Sequence, residues 1–379
     1  MTNSISLRRL IFFWTTWGYL LTNFLMAWFS GLSLVFIATR ESWMLLLLAL
    51  LVRIRSYPSL AFIGVIALYG AAPFIEGMKG YEVLGYIYGM RDIFLLVLII
   101  ELIRSPADLN VSEKEIFSFI YFVVGIAITD AITTNVLGMN IVESIFKISS
   151  YYSNKGVAIN LSNGLMGQRI GTPLYSPNLL CTLLACCFFF DHRVVKGKLF
   201  VKAMALIVIA FTTTKVIVFS LGFYLARSWW KILTILGLVA LLPLYFSLVS
   251  YYETVPFGFL KYHLSSILGH FNAFVMAIEN NLLTFIPEPL GSKSIAISAM
   301  AEGVGPGAGI ESSILARFSE LKIYYFIVIA FMMYSLFKIN HDVEKKFVVF
   351  FIVLSVLTAT SNQPVAFIPA LYLLKSLKS

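Results

Sequence analysis

The chain has 379 residues, 59% hydrophobic and only 12% charged, with a formal net charge of +9. Globular domains carry about 25% charged residues, so a soluble domain with a large core is excluded. Continuous apolar runs, rather than alternating ten-residue strands, exclude an outer-membrane barrel and leave an all-α polytopic membrane protein.

Arg8 and Arg9 open the chain and predict a cytoplasmic start. No A-x-A cleavage site follows the first apolar run, which reads as a retained helix. Residues 10–55 are too long for one span of ~20 residues and predict two, with a turn near Ser30-Gly31 and a cytoplasmic end at Arg53–Arg55. A third span is expected over 58–76 and a fourth over 83–103, the latter carrying Arg91-Asp92 inside its apolar run. Ser112 with Glu115 three residues on predicts a capping box that starts a fifth span, ending near Thr133. Residues 135–173 then form an external loop with Lys147, Lys155 and Arg169 against one acid, Glu143, on the face where topology asks for no bases. A sixth span, 175–190, holds Cys181, Cys186 and Cys187, which read as small hydrophobes and not as a disulfide or metal set.

Residues 199–226 predict a hairpin with Thr212-Thr213-Thr214-Lys215 near its external turn, and Trp229-Trp230 fit an interfacial belt. A span over 232–249 leads to residues 251–321, the longest stretch a bilayer cannot hold. Its middle is rich in proline and glycine, Pro287-Glu288-Pro289-Leu290-Gly291 and 303–309. Segments at 323–337, 347–357 and 365–374 follow, and Lys375 and Lys378 end inside. By the length argument there are about twelve membrane segments. The chain divides into an N-terminal bundle (1–250), a long external loop or lid (251–321) and C-terminal membrane segments (322–379).

Several residues carry chemistry. A charge at bilayer depth costs about 2.5–3.5 kcal/mol, which makes Arg91 and Lys215 site residues by default. Asp92 points ~100° away from Arg91 around a helix and is expected to be a poor partner for it. Arg169, in Gly167-Gln168-Arg169-Ile170-Gly171-Thr172-Pro173, is a loop arginine or a fork-shaped phosphate donor. In the long loop, Glu311 caps a helix end or acts as general base, with His270 a second candidate. Arg317 joins the basic set. No His/Cys/carboxylate spacing predicts a metal site, and no P-loop or GxGxxG predicts a nucleotide cofactor, so none is expected.

Four places resemble one family. The Arg169 segment with Pro177-Asn178-Leu179 is similar to an R-x-G-T…x-P-N motif. Thr212–Lys215 is similar to T-x-S-[RK]. Gly269-His270-Phe271-Asn272 through Pro289-Leu290-Gly291 resembles G-R-x-x-x-W…P-x-G, without the tryptophan. Glu311-Ser312-Ser313-Ile314-Leu315 to Leu321-Lys322-Ile323 resembles [DEH]-[NS]-x-x-L…x-G-I, with Lys322 in place of the usual glycine. These are motifs of the O-antigen polymerase/O-antigen ligase superfamily of the Wzy and WaaL type. Glu311-Ser312, where ligases carry His-Asn, favours the polymerase branch. The resemblance implies a metal-independent GT-C-type glycosyltransferase in the bacterial inner membrane, both termini cytoplasmic and the site periplasmic. Donor and acceptor would be undecaprenyl-diphosphate-linked glycans, with membrane lipid and a chain-length regulator protein as further partners and no nucleic acid. Glu311 and His270 would be catalytic, and Arg91, Arg169, Lys215 and Arg317 would bind the diphosphate. The alternatives are a ligase that moves glycan to lipid A-core and a flippase for lipid-linked oligosaccharides.

Overall fold

The structure is a computed structural model that describes residues 7–55, 111–139, 141–147, 159–160, 166–167, 172–188, 199–212, 229–254, 286–290, 313–339, 342–357 and 364–376, scattered positions between 64 and 95, Leu268 and Asn272. These residues are almost wholly helical, apart from one antiparallel pair of two-residue strands, β1 (Ile159–Asn160) and β2 (Met166–Gly167). In chain order the helices are α1 (Leu7–Trp28), α2 (Ser33–Arg55), α3 (Glu113–Asn135), α4 (Ile141–Phe146), α5 (Pro177–Phe188), α6 (Leu199–Thr212), α7 (Trp230–Thr254), α8 (Ser313–Leu321), α9 (Tyr325–Lys338), α10 (Asp342–Leu357) and α11 (Pro364–Ser376). The described positions of 83–95 are helical as well. Among the described residues, α1 and α3 are long and apolar enough to cross a membrane.

A wide turn of π-helix interrupts α1 over Trp14–Gly18. Thr15 and Thr16 donate back to the carbonyls of Ile11 and Phe12, at 2.7 and 2.6 Å, which loosens the regular ladder there. Gly18 leaves room for the Trp14 ring, which a Cβ would meet at 3.2 Å. The turn sends neighbouring tryptophans to different partners. Trp14 Nε1 donates to the Arg40 carbonyl at 3.2 Å, and Trp17 packs edge-on to Phe119 at 5.3 Å. The expected turn at Ser30-Gly31 is a 3-10 turn, Ser30–Leu32, and it folds α2 back along α1.

The expected capping box starts α3: Ser112 accepts from the Glu115 amide, and Glu115 accepts from the Ser112 amide. Arg9 pairs with Glu115 at 2.5 Å, while at the far end Trp28 Nε1 donates to the Ile145 carbonyl at 2.9 Å. Therefore α1 and α3 run parallel, and the bundle has an Arg9 end and a Trp28 end. The Tyr175 hydroxyl donates to the Phe146 carbonyl at 2.9 Å, so α5 begins at the Trp28 end. Tyr372 donates to the Arg8 carbonyl at 2.7 Å, so α11 finishes at the Arg9 end.

The core lies where α5, α6 and α11 meet, with Leu180, Leu184, Val208, Phe367 and Leu371 buried. Cys181, Cys186 and Cys187 are buried in the same layer and form no disulfide with one another. Lys231 and Asp342, both exposed, pair at 2.6 Å and join the starts of α7 and α10.

Helix α7 runs to Thr254, so the first four residues of the expected external stretch continue it as helix. The far end of that stretch is also ordered as helix, since α8 occupies 313–321. The span expected at 58–76 lies almost wholly outside the described residues.

Candidate functional site at the Trp28 end of the bundle

A chain of buried charges crosses the bundle near its Trp28 end. It starts at Asn23, about one and a half turns before Trp28. Arg40 Nη1 donates to Asn23 Oδ1 at 2.5 Å, and Arg40 Nη2 and Nε both reach Glu41 Oε1, at 2.5 and 3.0 Å. The same oxygen accepts from Arg91 Nη1 at 3.1 Å. Arg91 Nη2 is 3.5 Å from Asp92 Oδ1, and Asp92 Oδ2 is 3.5 Å from Arg317 Nε. Arg317 Nη1 closes the chain by donating to Glu320 Oε2. Arg40, Glu41, Arg91, Arg317 and Glu320 are each at most 5% exposed.

Three arginines and three carboxylates thus alternate, and their formal charges cancel. Cancellation is what makes the burial tolerable, since a lone ion at this depth would lose its hydration with nothing to replace it. Local sequence places only the neighbours: Arg40 with Glu41 on α2, Arg91 with Asp92, and Arg317 with Glu320 one turn apart on α8. The links between these pairs are tertiary. The Tyr19 ring adds a cation–π contact to Arg40 at 4.8 Å.

The same chain docks the proline-rich middle of the long stretch. The Glu288 amide donates to the Glu320 carbonyl at 2.7 Å, and Lys322 Nζ pairs with Glu288 Oε1 at 2.6 Å. Leu290 is fully buried beside them. Lys322 holds a φ of +54°, in the left-handed region that favours glycine. It stands at the position where the resembled pattern has glycine. The Glu288 ion pair offsets part of the strain.

A second polar cluster lies at similar depth on α3. Asp130, 2% exposed and about one and a half turns before Asn135, accepts from Thr134 Oγ1 at 3.0 Å and from Thr172 Oγ1. Thr172 belongs to the Gly171-Thr172-Pro173 segment, so the chain leading into α5 is tied to α3 here.

Of the residues singled out by sequence, the structure brings Arg91 and Arg317 together through Asp92. Arg169, Lys215, His270 and Glu311 lie outside the described residues. Thr212, three positions before Lys215, is fully buried and donates to the Ile209 carbonyl at 2.6 Å. In keeping with the expectation that Asp92 is a poor partner for Arg91, the two approach only to 3.5 Å, and Arg91 donates its hydrogen bond to Glu41 at 3.1 Å. The ~100° step between helical neighbours keeps Arg91 and Asp92 from facing each other squarely. The residues that sequence reasoning passed over are Arg40, Glu41, Asp130 and Glu320. Arg40-Glu41 carried a signal, two ionisable residues within an apolar run, of the same kind that marked Arg91. Among the described residues no cluster of three or more His, Cys, Asp or Glu could hold a metal ion. Comparison with protein-family models, curated proteins and solved structures gives no match.

Two predictions follow from the charge chain. Arg317→Met leaves Glu320 buried without its partner and should lower unfolding free energy by about 3–5 kcal/mol; Arg317→Met/Glu320→Gln, which removes both charges, should cost less than the single change. Denaturant titration of the purified protein in detergent measures both. At the left-handed position, Lys322→Gly should be more stable than Lys322→Ala by about 1–2 kcal/mol, the reverse of the order at an ordinary helical site.

Proposed function

We propose that this protein polymerises undecaprenyl-diphosphate-linked oligosaccharide repeat units, as a metal-independent GT-C-type glycosyltransferase of the bacterial inner membrane. The growing glycan passes from its lipid carrier to a new lipid-linked repeat unit, as for O-antigen or a related surface polysaccharide. About twelve membrane segments, by the ~20-residue span length, hold both termini in the cytoplasm. The Arg9 end of the bundle is then cytoplasmic and the Trp28 end periplasmic, in keeping with Arg8-Arg9 and Lys375 at the chain ends.

The observation that carries the reading is the buried charge chain. It fastens two described parts of the long stretch, 286–290 and α8, to α1, α2 and 83–95. It does so at the end of the bundle where Asp130 ties down the Gly171-Thr172-Pro173 segment. That the described residues of three resembled motifs, Thr172-Pro173, Pro289-Leu290 and α8, lie toward one end supports the reading. The left-handed φ at Lys322, where the family pattern has glycine, supports the same reading.

In the proposed reaction the acceptor hydroxyl attacks the donor's anomeric carbon and the lipid diphosphate leaves. Glu311 takes the hydroxyl proton as general base, with His270 as the second candidate. The leaving diphosphate needs cations where its charge develops. Arg91 and Arg317 have their charges balanced by Glu41, Asp92 and Glu320, which favours a role for them in holding the wall of the site. Arg169 and Lys215 are then the cations that meet the diphosphate directly. A chain-length regulator is the expected protein partner.

In a strain lacking the native gene, Arg169→Ala and Glu311→Ala should each abolish the ladder of surface-polysaccharide lengths. Single-repeat capping of lipid A-core should persist. An intact ladder in both variants would overturn the assignment, and loss of single-repeat capping as well would favour the ligase.

A further inference from the structure

We infer that Asp130 is a positioning residue for the Arg169 segment, acting through the hydroxyl of Thr172; this rests on the reading of Arg169 as a diphosphate-binding cation. Past its first turn, α3 carries a single acidic residue and no basic one: Asp130, in a mostly apolar helix. A carboxyl group buried to this degree is tolerated only where hydrogen bonds replace its hydration. The two threonine bonds to Asp130 differ in kind. Thr134 lies one turn along the same helix, so its bond to Oδ1 forms wherever α3 is helical. Thr172 donates to Oδ2 from 42 residues away, so that bond exists only when the segment before α5 is seated.

Residues 172–176 are fixed along their length. Thr172, Leu174, Tyr175 and Ser176 are all buried. Tyr175 takes a left-handed φ of +62° and donates through its hydroxyl to the Phe146 carbonyl. Ser176 Oγ accepts from the Leu179 amide at 3.4 Å and starts α5. Aromatic packing of Phe146 against Tyr175, with ring centroids 6.3 Å apart, adds to the hold. Asp130 therefore pins the upstream edge of a turn whose downstream edge is already locked. Arg169 lies three residues before Thr172, and the covalent chain gives it no more than about 11 Å of reach from that anchor. A guanidinium fork serves a diphosphate only when its direction is fixed, and a misplacement of about 1 Å can cost about a hundredfold in rate.

The test uses the full-length protein. Its native cysteines are buried, so Arg169→Cys provides a thiol reporter of the segment. The rate of labelling by a membrane-impermeant maleimide reads the segment without reference to any activity. Thr172→Val, which keeps the shape and removes the hydroxyl, should shift that rate severalfold, and Thr172→Ser should restore it. Asp130→Ala should give the same shift, and combining it with Thr172→Val should add nothing. With Arg169 in place, Thr172→Val should lower kcat for repeat-unit addition by about a hundredfold, while KM stays within a few-fold and Thr172→Ser recovers the rate. An unchanged labelling rate in Thr172→Val, or additive effects of the two changes, would overturn the inference. A labelling shift together with full polymerisation by Arg169→Ala would leave Asp130 as the anchor and refute the role given to Arg169.

Discussion

Everything at the Trp28 end depends on one constraint: charge buried in an apolar bundle must cancel locally. Arg40, Glu41, Arg91, Asp92, Arg317 and Glu320 meet it by alternating in sign along a path that no single element could supply. Such a path contributes little to net stability, because each ion pair first repays its own desolvation. Its value is geometric. Three segments far apart in sequence, α2, 83–95 and α8, must come together for these charges to be tolerated, so the network selects one arrangement of them.

That arrangement defines what the long stretch can do. Apolar packing along α1, α3, α5 and α11 builds a frame with two distinct ends. The buried ion pairs and the Glu288–Lys322 bridge then fasten α8 and 286–290 to one of them. Residues 286–290 and α8, which flank 291–312 in the sequence, are thereby held on the frame. On the other side of the same end, Asp130 holds the turn that follows Arg169. In the proposed transfer between two lipid-linked substrates, this wall of balanced charge would support the cations and the base proposed on the neighbouring segments.

The features legible in the sequence were those written in local pattern. The turn at Ser30-Gly31, the capping box at Ser112 and Glu115, and the apolar runs behind α1, α3 and α5 all follow from spacing and residue type. Arg91 stood out because it interrupts an apolar run. Its partner did not: Glu41 lies 50 residues away, and its place beside Arg91 is set by the packing of α2. The Asp130–Thr172 bond was hidden for the same reason, since threonines and an aspartate near a helix end look like ordinary surface residues. Helix α7 continues through Thr254 because Tyr251 and Tyr252 sustain an apolar helix. Lys322 shows the opposite case. Its departure from glycine seemed only a mismatch with the family pattern, and the backbone angle gives the position its physical meaning.

The most direct measurement is reconstitution of the purified protein in liposomes with undecaprenyl-diphosphate-linked repeat units as the sole glycan substrate, products being sized by mass spectrometry. The account predicts lipid-linked products of two, three and more repeat units, formed without added divalent metal and with release of undecaprenyl diphosphate. Recovery of only single repeat units, whether unmoved or carried across the bilayer without chain growth, would contradict it.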